Sequence, residues 1–400
     1  MATHSHVKIL RGVGLTDLLV GLAIGMLAML VIIKVAVLFE SRRKSTVGAA
    51  DAQQNVAIAV SLMSRELRMA GQGLGPVDSL GCSVAHDLGT SLGTLSLVPS
   101  LRRVILAIDQ KANQYAALIK IGRTHLQDAM PMTVGQEFSG YVAQLQLAAT
   151  AIQSAQANLY ALAIGGTAVG TGFGTPEDFG CKVAQILTSE LGLPFISAEN
   201  KFAALAGHEA ITISHAALKT LACTLIKIAN DVRWLASGPR CGLGELTLPE
   251  NEPGSSMMPG KVNPTQCEAL IMLSLQVLAN DVVISSAAAA GNFELNVTKP
   301  LTAHAYLQSI RLLSDGITSF ARYCISGMVA NERRVTELVE SSLMLVTALV
   351  PHIGYDKAAA IAKTAHAENQ SLREAALASG YVSAFQFDRW IQPVSMTHPS

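Results

Sequence analysis

Residues 254–264 read GSSMMPGKVNP, placing two serines, a lysine and an asparagine among two glycines and two prolines in a chain that is half apolar. Gly254, Pro259 and Gly260 exclude a regular element, so 250–262 reads as a loop. In Asn263-Pro264-Thr265-Gln266 an N-cap residue precedes proline at the first helical position and glutamine at the third, which predicts a helix from Pro264. The amino terminus of that helix offers unpaired N–H groups and a positive dipole end, and Lys261 adds a full charge nearby. Such a place suits a carboxylate or a phosphate, so the expected substrate is an anion. A plainer arrangement, in which Asn263 only caps the helix, Lys261 is solvated and the serines fill a turn, gives no reason for both serines.

A second polar knot, GRTHLQD at 122–128, is expected between a helix ending near Ile121 and another starting at Thr133, where Thr133 and Gln136 can form a capping box. Loops between rigid elements carry reactive groups. His125 is the residue best suited to proton transfer near neutral pH. An isolated histidine can equally bond a backbone carbonyl.

The elements that hold these knots read as long helices. From Pro99 to about Ser237 and from Thr265 to about Val329, apolar residues recur at helical spacing. Ile211, Leu218, Leu221, Leu225 and Ile228 share one face with His215. Strand-like alternation is scarce and no internal repeat stands out, so the fold class is mainly α: a bundle of long, largely buried helices followed by short helices from Asn331 onward.

Composition bounds the partners. The 29 basic residues match 29 acidic ones, leaving no net charge to hold nucleic acid through its phosphates. Six cysteines lie far apart without a CxxC pair, so neither a zinc knuckle nor a dense disulfide framework is suggested, and most are expected to be small buried residues. Only 14% of residues are charged and the mean hydropathy is positive, which points to a membrane segment, extensive subunit contacts, or both.

The membrane candidate is Leu18 to Phe39, apolar except for Lys34 near its end and long enough to span a bilayer as a helix. Lys8 and Arg11 precede it and Arg42, Arg43 and Lys44 follow, so charge alone does not orient it. Gly12-Val13-Gly14-Leu15-Thr16-Asp17 ahead of the apolar run resembles the amino terminus of type IV prepilins, with cleavage after Gly12 placing an acidic residue, Asp17, fifth in the mature chain. The stripe Val56, Val60, Met63, Leu67 and the segment SRELRMAG at 64–71 are similar to the first helix of a PilW-type minor pilin. Asp17 and Val13 depart from the family's glutamate and phenylalanine. By that resemblance, residues 1–82 form a leader, a transmembrane helix and an amphipathic helix; the glycine- and serine-rich stretch between Gly71 and Ser96 has no helical periodicity, and 83–97 reads as a linker.

The two polar knots carry a second resemblance. GSSMMPGKVNPTQCEA at 254–269 and GRTHLQDAMPMTVGQE at 122–137 resemble, in order and separation, two motifs of the fumarase/aspartase superfamily. VRWLASGPRCGLGE at 232–245, PENEPGSS at 249–256 and GNFELNV at 291–297 are similar to class II fumarases, and LVTALVPHIGYDKAAAIAK at 345–363 resembles that class's small carboxy-terminal domain. The likeness runs from about Val98 to Met396, giving a central helical domain at 98–330 and a carboxy-terminal domain at 331–400.

The resemblance implies a homotetrameric lyase that reversibly hydrates fumarate to malate without metal or organic cofactor. By matching positions, Ser255 is the base at carbon on a mobile loop. Thr124, Ser256, Lys261, Val262 and Asn263 bind substrate, and His125, oriented by Glu268, handles the hydroxyl or water. Class II fumarases also carry Gly-Thr-x-x-Asn-Met-Asn and Ser-Ser-Asn-Asp segments in a first domain, and neither is found here; GTSLGT at 89–94 continues differently. Each site of the family draws groups from three subunits, so little hydratase activity is expected, with a pilin-like membrane component carrying a lyase passenger or oligomerisation module as the other reading. The two halves also disagree on place: the amino terminus implies the bacterial cytoplasmic membrane, the lyase portion the cytoplasm.

Overall fold

A computed structural model describes residues 97–399. The prepilin-like segment 1–82 with its cleavage position Gly12, and the span 18–39, lie outside the described residues. A helix (α1) covers 97–114, and an antiparallel hairpin follows, made of β1 (Ile119–Thr124) and β2 (Gln127–Thr133). The bundle proper comprises α2 (Val134–Gln156), α5 (Glu209–Leu235), α6 (Thr265–Ala288) and α7 (Lys299–Phe320). At 1.5 Å per residue the 27 residues of α5 extend about 40 Å. Between α2 and α5 lie the short parallel pair β3 (Ala161–Leu162) and β4 (Ile196–Ser197) and the helices α3 (Phe179–Leu191) and α4 (Lys201–Ala206).

The predicted stripe on α5 is the core-facing one: Ile211, Leu218, Leu221, Leu225 and Ile228 are all buried. α5 packs on α2 and α6, and α6 on α7, around one apolar core that also takes in Leu101, Val104 and Ile108 of α1. A second, smaller core gathers α8 (Glu332–Ser341), α9 (Val350–Ile353), α10 (Tyr355–Ala367), α11 (Leu372–Ala378) and α12 (Ala384–Trp390). Ile121 of the hairpin belongs to this second core, and Gln136 at the start of α2 donates to the Thr397 carbonyl at 2.9 Å. The hairpin is therefore packed against the second core, and the start of α2 is tied to the same region. The expected capping box at the start of α2 is present in both directions, between Thr133 and Gln136.

Several expectations need correction. The helix expected to end near Ile121 ends at residue 114, and 119–133 forms strands instead. Residues 157–200 are a 3-10 turn, paired two-residue strands and short helices, because glycines at 165, 166, 170, 172 and 174 interrupt the helical pattern. Among the described cysteines only Cys267 and Cys324 are buried; Cys181, Cys223 and Cys241 are exposed.

α5 and α6 are each long and apolar enough to cross a membrane by length and composition. In the bundle they are joined by a buried polar relay. His215, 0% exposed, bonds Asp281 through Nδ1 at 3.0 Å and Ser309 of α7 through Nε2 at 2.9 Å. Lys219 pairs with the other Asp281 oxygen at 2.6 Å, and Asn280 donates to Ser309 at 3.0 Å. Satisfied groups of this kind fix how three helices align, since a slip would strand them without partners.

Burial lowers the His215 pKa from its ordinary value, with Asp281 opposing and Lys219 adding to the fall. The unfolded chain thus binds this proton more readily than the folded one, so the contribution is complete above about pH 6.5 and is lost as pH falls below it. Thermal melts should therefore show the wild-type transition temperature dropping between about pH 7 and pH 5, and His215→Gln should flatten that dependence.

Candidate functional site

The first polar knot sits at the tip of the β1–β2 hairpin. Thr124 pairs with Gln127, leaving His125 and Leu126 as a two-residue turn with φ of 55° and 61°. Both central residues are left-handed, as a type I′ turn requires, yet neither is glycine or asparagine. Each such residue costs on the order of 1–3 kcal/mol and persists only where its surroundings enforce it. One residue earlier the pairing shifts register between Ile121 and Arg123, and a side chain at Gly122 would meet the Met130 carbonyl oxygen at 2.9 Å. The result is an exposed imidazole on a bulged, sharply turned ribbon.

Beneath the turn lies a buried ionic cluster. Lys120, 1% exposed, donates to both Glu137 oxygens at 2.9 Å and stands 3.1 Å from Glu245, which is 2% exposed. Arg123, with 13% of its side chain exposed, reaches the other Glu245 oxygen at 2.6 Å. Both Glu245 contacts are ion pairs at angles too oblique for hydrogen bonds, and Arg123 Nη1 is buried without a hydrogen-bond partner. Nearby, Tyr141 donates to Asp231 at 3.0 Å. Burial and then the carboxylates of Glu137, Asp231 and Glu245 push its phenol well above the ordinary range.

The second knot is a loop closed on itself. Asn263 Nδ2 donates to the Gly254 carbonyl at 2.5 Å, and a Cβ placed on Gly254 would lie 1.6 Å from the Lys261 carbonyl oxygen. Only glycine fits there. Ser255 Oγ accepts from two backbone amides, Met257 N at 3.2 Å and Met258 N at 3.1 Å. Ser256, Lys261 and Val262 are exposed along the same loop.

α6 begins at Thr265, with Pro264 rather than Asn263 as its cap: the Pro264 carbonyl accepts from Cys267 and Glu268 amides at 3.0 and 3.1 Å. The expected Asn263 cap is absent because its side chain is spent closing the loop, and Gln266 accepts from Ser319 instead of turning back. The sites named from sequence thus fall into two groups, Thr124 with His125 on the hairpin and Ser255, Ser256, Lys261, Val262 and Asn263 on the loop. Glu268 points its carboxylate towards Arg233 at 4.0 Å. Among the described residues, no hydrogen bond or ion pair joins His125 to Glu268 or either group to the other within the chain. Nor does any group of three or more His, Cys, Asp or Glu there form a metal-binding cluster.

Sequence reasoning assigned no role to Lys120, Glu137 or Glu245; it called for loop N–H groups beside Ser255 without naming them, and they are those of Met257 and Met258. A signal existed for the first: a single lysine between Leu118-Ile119 and Ile121 must bury its stem and head together, which demands a counter-charge.

A family profile described as Lyase matches residues 85–279, and one described as Fumarase C C-terminus matches 345–398. The class II fumarate hydratase of Chromobacterium violaceum is 63% identical over 300 residues, covering 75% of this chain and 65% of the relative. That of Thermosynechococcus vestitus is 52% identical over 355 residues, covering 85% and 76%. The crystal structure of the class II fumarase of Schistosoma mansoni superposes with a TM-score of 0.76 at 42% identity, covering 80% of this chain and 71% of the other. Against the Chromobacterium relative, then, the chain spans a little under two thirds of the length, 65%.

The Gly254 contact yields a direct test of loop closure. Gly254→Ala should force the loop open and speed tryptic cleavage after Lys261 by about tenfold or more, with the global melting temperature nearly unchanged, because local opening free energies set such rates.

Proposed function

This chain belongs to the class II fumarate hydratase family, and from that premise we propose that it interconverts fumarate and malate. The observation that carries the reading is the pair of backbone amides on Ser255 Oγ. A serine hydroxyl is a poor base, but an alkoxide that accepts two N–H donors is stabilised at the moment it forms. Both polar segments also lie inside the matched range 85–279.

In the dehydration direction Ser255, entering as the alkoxide that those two amides hold, takes the proton from the carbon beside a carboxylate and becomes the neutral hydroxyl. Negative charge then builds on that carboxylate, where the Lys261 ammonium, the second N–H of the Asn263 amide not used in closing the loop and the free N–H groups at the start of α6 are the stabilising groups. His125 gives a proton to the departing hydroxyl, which leaves as water; hydration runs the same steps in reverse. Thr124, Ser256 and Val262 shape the substrate contacts, and Glu268 orients His125.

Two groups that do not meet within one chain can meet across copies. α6 is apolar nearly all round, with only Glu268 and Asp281 charged along its length, and Met272, Leu275 and Val282 stand more than half exposed. A helix of that kind is normally covered. We take a second copy as the cover, in a homo-oligomer that brings the hairpin of one chain to the loop of another. The Gly-Thr-x-x-Asn-Met-Asn and Ser-Ser-Asn-Asp segments are not in this sequence. Each carboxylate contact they would add is worth about 1–3 kcal/mol, so turnover by this chain falls well below that of relatives that carry them.

Loss of fumarate absorbance, with malate identified as product, should reveal slow hydration by the full chain. Ser255→Ala should remove at least about 100-fold of what remains. Wild-type turnover by Ser255→Ala would overturn the assignment of the base. Light scattering should return a mass several times that of one chain, whereas a monomer would sink the shared-site reading.

A further inference from the structure

Glu245 lies in none of the groups assigned above to substrate or proton transfer, yet it is the most enclosed carboxylate near the hairpin. Its segment is anchored independently. Asn331 N donates to the Glu245 carbonyl at 2.8 Å, Arg334 Nε donates to the Leu243 carbonyl at 3.1 Å, and the next two residues, Leu246–Thr247 (β5), pair with Val329–Ala330 (β6). The backbone of Glu245 is thus a fixed post in the bundle. From that post the side chain reaches Lys120 and Arg123 on β1, the second of which is bonded in sequence to Thr124 and precedes the turn.

We propose that Glu245 is a positioning residue for His125: by drawing Arg123 inward it holds the β1 bulge and the left-handed His125-Leu126 turn in the one arrangement that presents the imidazole. The turn needs such a holder. Leu126 lacks any intrinsic preference for φ above zero, and His125 has a weaker one than the glycine or asparagine such turns usually carry. The bulge at Gly122 also interrupts the ladder just below it. Charge makes the hold specific, since Glu137 already balances Lys120, so Arg123 has no other anion within reach among the described residues. The proposal rests on the fumarate hydratase reading for what His125 does, but not for how the hairpin is held.

The experiment uses the full chain with two variants. Glu245→Gln is isosteric and removes the charge; Lys120→Met combined with Glu245→Gln removes one charge of each sign and restores neutrality in the cluster. Melting temperature, amide hydrogen exchange across 119–133 and fumarate kinetics are measured for each. In Glu245→Gln, amides at 122–128 should exchange at least about tenfold faster. The rate constant kcat should fall about 100-fold with KM changed less than ~3-fold, as expected for a displaced proton-transfer group. The double variant should recover the melting temperature while hairpin exchange and kcat stay impaired. Exchange at 122–128 unchanged in Glu245→Gln, or restored together with melting in the double variant, would overturn the proposal by reducing Glu245 to charge balance. A wild-type chain without hydratase activity counts against the functional reading alone, and the exchange data then decide the positioning role.

Discussion

A lysine ammonium with 1% of its side chain exposed must have an anion beside it, and Lys120 has two. Unpaired, a cation in that position would cost several kcal/mol, a large part of the net stability of an ordinary domain. Glu137 comes from the first turn of α2, where its negative charge also suits the helix dipole, and Glu245 from the segment that leads towards the 250–263 loop. One buried lysine therefore ties the hairpin to the bundle from two directions. Arg123 joins the same cluster and brings the strand end with it. With the second core gripping Ile121, the ribbon that carries His125 is fastened on both faces while its tip stays in solvent.

The loop at 254–263 is held differently. Its closure depends on one side-chain hydrogen bond, from Asn263, and one close backbone approach, at Gly254. Both are local, and neither involves charge. Such a loop can open at small cost, and when closed it has two amides already turned onto Ser255. The division suits proton abstraction beside a carboxylate. Under the proposed reading, the base and the anion-binding groups close over the substrate and exclude water, whereas the group that handles the hydroxyl profits from being set in advance.

The bundle was legible because its code is purely periodic. Ile211, Leu218, Leu221, Leu225 and Ile228 recur at helical spacing, and the capping box at Thr133 and Gln136 needs only residues three apart. The hairpin was not legible. Gly122 inserts a bulge that spoils period-two alternation, and the turn uses histidine and leucine where a sequence reader looks for asparagine and glycine. Part of its support, the Glu245 carboxylate, comes from more than a hundred positions away, so no local window contains the whole cause. Asn263 failed in a related way: its spacing to Thr265 and Gln266 suits a cap, but a contact to Gly254 across the loop claims the side chain first. The candidate residues could be singled out by type and spacing, whereas the residues that hold them in place, Lys120 and Glu245 above all, could not.

The same contrast explains why a chain with so few charges keeps several of them buried. Only 14% of its residues are charged, and α6 exposes Met272, Leu275, Val282 and Val283. Apolar faces associate without strict orientation, because burial of area is indifferent to small slips. Buried polar relays are not indifferent. The His215–Asp281–Ser309 relay sets the alignment of α5, α6 and α7, and the Lys120–Glu245–Arg123 cluster sets the hairpin against them. In the proposed homo-oligomer, a site divided between copies demands that each copy present its half at a fixed place, so the specificity that an apolar interface cannot supply has to be built into each protomer, where the buried charges provide it.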